Sequence, residues 1–183
     1  DLDRNPELLK GYKAVLVNGH SEYWSARAYD GLDNYLKAGG AAVVMSGNTM
    51  FWRVSFDETG EVMECRKFGK SIGGRNLAKV GELYHSHDFK RGSLMRFCGY
   101  PAWKLVGLEC IGWAGGNFAN YQVEVPEHFL FNKPHKIELK KGDPFGFTNG
   151  EKGAVGHEYD VRLSTLLRAT KNPVLKGLVE PKG

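Results

Sequence analysis

The stretch Lys13-Ala-Val-Leu-Val-Asn18 and the polar turn that follows it, Gly19-His-Ser-Glu-Tyr-Trp-Ser25, decide the fold of this chain. The apolar run is typical of a buried β-strand, and the residues after the turn have the periodicity of an amphipathic helix. The turn therefore lies at the carboxyl end of a strand. Because ligands bind at that edge in open α/β sheets, the turn is interpreted as part of an active site.

His20 and Glu22 are the residues of this turn that carry chemistry. If the turn is extended, side chains two residues apart point the same way, so these two would face one pocket. An imidazole beside a carboxylate is suited to binding a metal or moving a proton. The alternative is structural, because both side chains could satisfy N–H groups at the start of the helix and complement its dipole.

The next elements predict a strand–helix–strand unit. Ser25 is placed to cap the helix, and Gly39-Gly40 is placed to end it. One helix face carries the apolar residues Ala28, Leu32, Tyr35 and Leu36. The run Ala41–Met45 predicts a second strand, apolar on both faces like a parallel strand between two layers. A right-handed crossover then places the loops of His20 and Asn48 at the same sheet edge, and the predicted fold class is α/β.

The middle of the chain has a different pattern. Short alternating runs cut by Gly, Pro and Asp predict an irregular β-rich insertion over residues 57–150, within one domain that spans residues 1–183. The glycine-rich piece at Gly115, Gly116 and Asn117 is predicted to form turns, and residues 71–92 a long loop with a little helix. Strands or hairpins are predicted at Trp52–Phe56, Glu61–Phe68, Tyr121–Val125, Lys136–Leu139 and Phe145–Phe147.

Composition excludes several classes of protein. The chain has 183 residues, 42% of them hydrophobic, which suits a globular domain rather than a disordered one. Its net charge of +4 is spread along the sequence, so nucleic-acid binding is not indicated. No apolar run approaches the roughly 20 residues of a membrane span. The three cysteines lack disulfide or zinc-ribbon spacing, which favours a cytoplasmic location. The abrupt start at Asp1 predicts a piece of something longer.

Two further clusters contain ionisable residues. Glu158 and Asp160 can face one site if their segment is extended, whereas the adjacent His157 would point away from Glu158. Arg162 could orient or neutralise one of these carboxylates, and the alternative is a structural salt bridge.

A serine hydrolase is disfavoured because Gly-His-Ser-Glu-Tyr around Ser21 lacks the second glycine of a nucleophile elbow.

His85 and His87 form a His-x-His pair, which can bind zinc when a further ligand arrives from elsewhere. A zinc hydrolase that uses His20, Glu22, His85 and His87 is therefore one alternative function. The other interpretation of the pair is a solvated loop, because exposed histidines are common in polar segments of this kind.

Together, several motifs suggest a family. They are Gly-His-Ser-Glu-Tyr-Trp-Ser at 19–25, Gly-Gly at 39–40, Ser-Gly-Asn-Thr-Met-Phe-Trp-Arg-Val at 46–54 and Gly-Ala-Val-Gly-His-Glu-Tyr-Asp at 153–160. The sequence resembles the carboxyl-terminal part of the N,N-dimethylformamidase large (beta) subunit. The resemblance implies a glutamine-amidotransferase-like, flavodoxin-like sheet and hydrolysis of N-substituted formamides. It also implies a mononuclear ferric iron held by two tyrosinates and one glutamate.

By motif position, the resemblance implies a role for four residues. Glu22 looks like the glutamate ligand of the iron, and His20 looks like a residue that either supports a metal ligand or handles protons. Asn48 would position the substrate or stabilise the oxyanion, and Glu158 would be a catalytic carboxylate that carries the proton. The implied partners are a small amide substrate, a small subunit and further copies of the chain.

The chain departs from the family pattern at the tyrosine ligands. In the family, these tyrosines come from sequence upstream of the His-Ser-Glu motif, where this chain has only Tyr12. Tyr23 would point away from Glu22. No tyrosine ligand is therefore assigned, and weak or absent iron is predicted for this chain. Two interpretations follow: a fragment of a longer iron amidohydrolase, or a relative with a degraded site. A non-catalytic amidotransferase-like module that supports an assembly or binds a small ligand is the alternative from another class.

Overall fold

The computed structural model describes residues 1–67, 83–148, 152–153 and 155–169. It is a mixed α/β structure with several small sheets. The chain forms two compact units. The first comprises residues 1–111 together with the segment that begins at Asp160, and the second is Gly112–Tyr159.

A strand–helix–strand unit opens the first unit, as the sequence predicts. Strand β1 (Ala14–His20) pairs in parallel with β3 (Ala41–Gly47) along its whole length. The intervening segment contains β2 (Tyr23–Ser25) and helix α1 (Ala26–Lys37). The predicted cap is confirmed, because the Oγ of Ser25 accepts the backbone N–H of Ala28 at 3.1 Å.

The core of the first unit lies against one face of α1. Tyr29, Leu32 and Tyr35 are buried there, with Leu32 fully inaccessible to solvent. Met50, Met95 and Ala102 complete this cluster. Gly40 is required where the chain leaves the helix, because a Cβ atom there would lie only 2.3 Å from the Tyr35 ring. The predicted apolar helix face therefore does organise the core.

The other face of the β1–β3 pair corrects one prediction. The sequence predicts that β3 is apolar and buried on both faces, but Val43 and Met45 are 47% and 54% exposed. Leu16 of β1 is 62% exposed on the neighbouring strand. The reason is that burial on both faces needs a second covering layer, and no part of the chain that the structure describes covers these three side chains.

A four-stranded sheet contains β2. Strand β4 (Trp52–Phe56) runs parallel to β2 and antiparallel to both β5 (Met63–Cys65) and β6 (Ser93–Leu94). The predicted strand Trp52–Phe56 is confirmed, whereas the one predicted at Glu61–Phe68 is shorter and ends at Cys65, with Phe68 outside the described residues. The first unit also contains a 3-10 helix at Leu8–Gly11, another at Met95–Cys98, and helix α2 (Ala102–Val106).

Two long strands pair with each other: β7 (Leu108–Ala119) and β12 (Val155–Arg162). The turns predicted at Gly115, Gly116 and Asn117 are wrong, because these residues lie inside β7. Glycines in a strand usually mark a bend or a close backbone approach, and Gly116 has a φ of 82°. Helix α4 (Leu163–Ala169) follows β12 directly.

The remaining elements of the second unit are short. Its helix α3 is Phe129–Asn132, and its small pairs join β8 (Tyr121–Gln122) to β9 (Pro144–Phe145) and β10 (Phe147–Thr148) to β11 (Lys152–Gly153). The strand predicted at Lys136–Leu139 is wrong, because this segment has no regular structure. Among the helices described, none is both long and apolar enough to cross a membrane.

Candidate functional site

The carboxyl ends of β1 and β3 lie side by side, which confirms that the two polar loops share one sheet edge. His20 pairs in register with Gly47 at the last position of both strands. Gly19 has a φ of 74° just before the end of β1, a left-handed conformation that glycine adopts at no steric cost. The chain therefore turns sharply into Ser21 and Glu22 beside the start of the Asn48 loop.

Glu22 is the centre of this edge. Its side chain is 13% exposed, and its Oε1 accepts a hydrogen bond from the Nδ2 of Asn48 at 3.1 Å. The Nδ1 of His20 lies 3.7 Å from the other carboxylate oxygen, Oε2, and the His20 side chain is 54% exposed. The three residues that the sequence proposed at this edge are thus brought together, with one carboxylate oxygen held by an amide and the other beside an imidazole.

Backbone hydrogen bonds join the loop after β3 to the turn after β1. The N–H of Met50 donates to the carbonyl of Ser21, and those of Phe51 and Trp52 donate to the carbonyl of Glu22, all at 2.9 Å. Asn48 and Met50 have left-handed φ angles of 52° and 56°, which are uncommon for residues other than glycine. Asn48 is 4% exposed, so its side chain is fixed within this junction.

Asp160 also reaches this junction, which sequence reasoning did not foresee. Its Oδ2 accepts the backbone N–H of Asn48 at 3.2 Å. The spacing groups Asp160 with Glu158, and the family resemblance implies a functional role only for Glu158. We call His20, Glu22, Asn48 and Asp160 the Glu22 edge.

Glu158 lies on β12, two residues before Asp160, and is half-buried. It belongs to the second unit, so its approach to Glu22 stays a prediction. The neighbouring His157 is exposed and has a left-handed φ of 70°. Arg162, at the end of β12, is exposed.

Tyr23 and Lys67 flank the edge. The Nζ of Lys67 donates to the hydroxyl of Tyr23 at 2.6 Å and also lies over the rings of Tyr23 and Trp52. Burial opposes a positive charge on Lys67, but the Tyr23 hydrogen bond and the negative charge of Glu22 prevail and raise its pKa. Lys67 therefore stays protonated and contributes positive potential near the Glu22 carboxylate.

His85 lies in a loop, as the sequence predicts, but its side chain is buried rather than solvated. It is 1% exposed, and its Nδ1 lies 2.6 Å from the Oγ of Ser55 and 3.4 Å from Nη1 of Arg53. The other guanidinium nitrogen of Arg53 forms an ion pair with Asp88. Burial, reinforced by Arg53, lowers the pKa of His85, so its ring is held neutral. We call Arg53, Ser55, His85 and Asp88 the His85 cluster.

This arrangement separates the residues of the predicted zinc site. The Nδ1 of His87 lies 3.8 Å from a Glu64 carboxylate oxygen rather than beside His20 or Glu22. Over residues 1–67, 83–148, 152–153 and 155–169, no group of three or more His, Cys, Asp or Glu side chains could hold a metal ion. Hence His20, Glu22, His85 and His87 do not form one zinc site, because the burial of His85 with Arg53 removes it from the sheet edge.

Comparisons with known proteins assign the chain to a family. The family model described as "N,N-dimethylformamidase beta subunit-like, C-terminal" matches residues 1–178. The chain belongs to this family. Over 127 residues, 68% of the chain, it is 32% identical to an N,N-dimethylformamidase beta subunit from Alcaligenes sp. and 30% identical to one from Paracoccus aminophilus. It spans 16% of the length of each of these relatives.

Proposed function

We propose that this chain forms the carboxyl-terminal part of an amide hydrolase that acts on N-substituted formamides. The observation that carries the proposal is the hydrogen bond from Asn48 Nδ2 to Glu22 Oε1 at the sheet edge, because it orients a nearly buried carboxylate. Family membership and the names of the two relatives support the reaction class. The parallel β1–α1–β3 unit supports a glutamine-amidotransferase-like sheet as the proposed fold.

Glu22 is proposed as a ligand of a mononuclear ferric iron. By itself it does not make a metal site, because the described residues hold no group of three acidic, histidine or cysteine side chains that could bind a metal. The remaining ligands would therefore come from residues outside this set, such as the tyrosinates that the family resemblance implies. Such an ion would polarise the formyl oxygen and lower the pKa of a bound water.

The other residues of the edge have separate proposed roles. Asn48 holds Oε1 of Glu22, which leaves Oε2 as the oxygen that faces His20. His20 is exposed and next to this oxygen, so it is placed to exchange protons with solvent. Glu158 is proposed as the carrier that takes a proton from the attacking water and returns it to the amine leaving group.

The name of the relatives, beta subunit, supports a further proposal that a smaller subunit assembles with the protein. A non-catalytic module in a larger assembly is the second candidate.

Metal analysis and turnover separate the two candidates. The protein at its full natural length, purified with its partner subunits, is expected to contain iron and to release formate from N,N-dimethylformamide. Substitution Glu22→Gln should remove both properties, whereas Glu58→Gln, at an exposed carboxylate, should remove neither. Iron-free protein without formate release would support the non-catalytic module, and full activity in Glu22→Gln would overturn the proposed role of Glu22.

A further inference from the structure

We propose that Asp160 is a positioning residue, which fixes the Asn48 loop so that the Asn48 side chain orients Glu22. The inference rests on the proposed function for its catalytic consequence, but its structural part is independent of any substrate or metal. It assigns a role to the β12 carboxylate that hydrogen-bonds to the loop rather than to its neighbour Glu158.

The first step is the link from Asp160 to the backbone of Asn48. These residues are 112 positions apart in the chain, yet Oδ2 of Asp160 accepts the Asn48 N–H at 3.2 Å. Asn48 is buried and has a left-handed φ of 52°, a conformation that is uncommon outside glycine and that its surroundings help to hold. A hydrogen bond from a backbone N–H to a carboxylate is charge-assisted and therefore stronger than one to a neutral acceptor.

The second step is the link from Asn48 to Glu22. Because the loop conformation sets the direction of the Asn48 side chain, it also sets the 3.1 Å hydrogen bond from Nδ2 to Oε1 of Glu22. The ends of the loop have their own supports, since Thr49 Oγ1 donates to the carbonyl of Ser46 and the Met50 N–H donates to that of Ser21. Loss of Asp160 would thus loosen the centre of the loop while its ends stay attached.

Residues that orient a metal ligand typically change metal affinity or activity by about 10- to 100-fold when they are substituted. Asp160 acts on Glu22 indirectly, through Asn48, and its negative charge strengthens the hydrogen bond from the Asn48 N–H. An amide in its place keeps an oxygen that can accept the N–H but lacks the negative charge. The pair of substitutions Asp160→Ala and Asp160→Asn therefore separates the hydrogen bond from the charge.

The test uses hydrogen–deuterium exchange and kinetics on the protein at its full natural length with its partner subunits. Asp160→Ala should raise the exchange rate of peptides covering residues 46–52 by about 10-fold or more, since the Asn48 N–H loses its acceptor. It should also lower kcat for formamide hydrolysis by about 10- to 100-fold. Asp160→Asn should restore most of both properties. If Asp160→Ala does not fold, a smaller rise in exchange confined to residues 46–52 is expected in Asp160→Asn.

Glu109→Gln is the matched control, because Glu109 is a buried carboxylate that accepts from Arg96 and from the backbone N–H of Trp103. It should lower the melting temperature without changing exchange at 46–52 or kcat. Unchanged exchange at 46–52 in the folded Asp160 variants would overturn the proposal, and so would equal losses in Asp160→Ala and Asp160→Asn. If Glu22→Gln stays fully active, the proposed function fails, while the exchange data still decide whether Asp160 holds the loop.

Discussion

The Glu22 edge and the His85 cluster use similar side chains for different ends. Each contains a histidine and a carboxylate, but the His20 side chain is 54% exposed and His85 only 1%. At the edge, a carboxylate is held by an amide and stays beside an open imidazole. In the cluster, the histidine nitrogen Nδ1 is held by Ser55 and Arg53, and the carboxylate of Asp88 pairs with the same guanidinium. Residue types alone therefore do not mark a reactive site, because burial and partners decide whether a group is available.

The largest effect is expected for a substitution of Glu22, which tests whether the Glu22 edge, rather than the His85 cluster, is the reactive site. Glu22→Gln keeps the volume of the side chain and the acceptor for Asn48 but removes the charge. In the protein at its full natural length, kcat/KM for formamide hydrolysis should fall by about 1,000-fold, since metal-held transition-state stabilisation is worth several kcal/mol. Thermal unfolding should change little. A variant that loses stability but not activity would assign Glu22 a structural role and remove the contrast with the His85 cluster.

Arg53→Ala tests the cluster as the structural member. It removes the partner of Asp88 and a neighbour of His85 inside the fold. The free energy of unfolding should fall by about 2 kcal/mol, less than for a fully buried ion pair, because the Asp88 side chain is 29% exposed. Denaturant titration measures the change. Arg27→Ala, at an exposed position on α1, is the control and should stay within about 0.5 kcal/mol of the parent chain. A loss below about 1 kcal/mol for Arg53→Ala would mean that this cluster does not support the fold.

Asn48→Gly distinguishes strain from function within the edge. Glycine adopts the left-handed φ of Asn48 at no steric cost, so any loss of stability should come from the buried hydrogen bond and amount to about 1 to 3 kcal/mol. The hydrogen bond to Glu22 is lost, and kcat should fall by about 10- to 100-fold. Steady-state kinetics and thermal melting on the same preparation measure both quantities. An active Asn48→Gly variant would show that Glu22 needs no amide to hold it.

The smallest expected effect is the pH dependence of the His85 cluster. Burial and Arg53 lower the pKa of His85 in the folded chain, whereas in the unfolded chain this histidine has the ordinary pKa of about 6.5. The unfolded state therefore binds the proton first as the pH falls below that value. Stability should drop toward acid with a slope of at most about 1.4 kcal/mol per pH unit, and this contribution is fully present above pH about 7. Urea titrations from pH 5 to 8 should show the slope in the parent chain and a reduced slope in His85→Gln.

The sequence predicts the Glu22 edge better than it predicts the His85 cluster because the edge depends on local patterns. The apolar run before Gly19, the Ser25 cap and the second strand at Ala41 each follow from neighbouring residues. The parallel pairing of two strands then brings His20 and Asn48 together without further information. Hence three of the four residues of the edge could be proposed together from the printed sequence, and only Asp160 could not, because β12 lies more than a hundred residues later.

The His85 cluster depends on contacts that local patterns do not encode. Arg53 lies in a strand of otherwise apolar or small residues, and its burial follows from Asp88, 35 positions away. The polar segment around His85 has the composition of an exposed loop, yet it packs against that strand. The sequence does not predict β7 for a related reason, because Gly112, Gly115 and Gly116 are turn-forming residues in isolation, whereas the strand that pairs with β12 runs through all three. The outer face of β3 shows the opposite error. Its apolar pattern predicts burial, but no part of the chain that the structure describes covers it.

Trp24 gives the Glu22 edge an optical reporter of its own. Its indole N–H donates to both the carbonyl and the hydroxyl of Ser21, the residue next to Glu22 in the chain. Any rearrangement of this turn changes the surroundings of the indole and hence its fluorescence. The chain has four tryptophans, so conversion of Trp52, Trp103 and Trp113 to phenylalanine would leave a single emitter beside the carboxylate. Its emission maximum and quenching by iodide would then follow events at the sheet edge in real time, even in the absence of turnover.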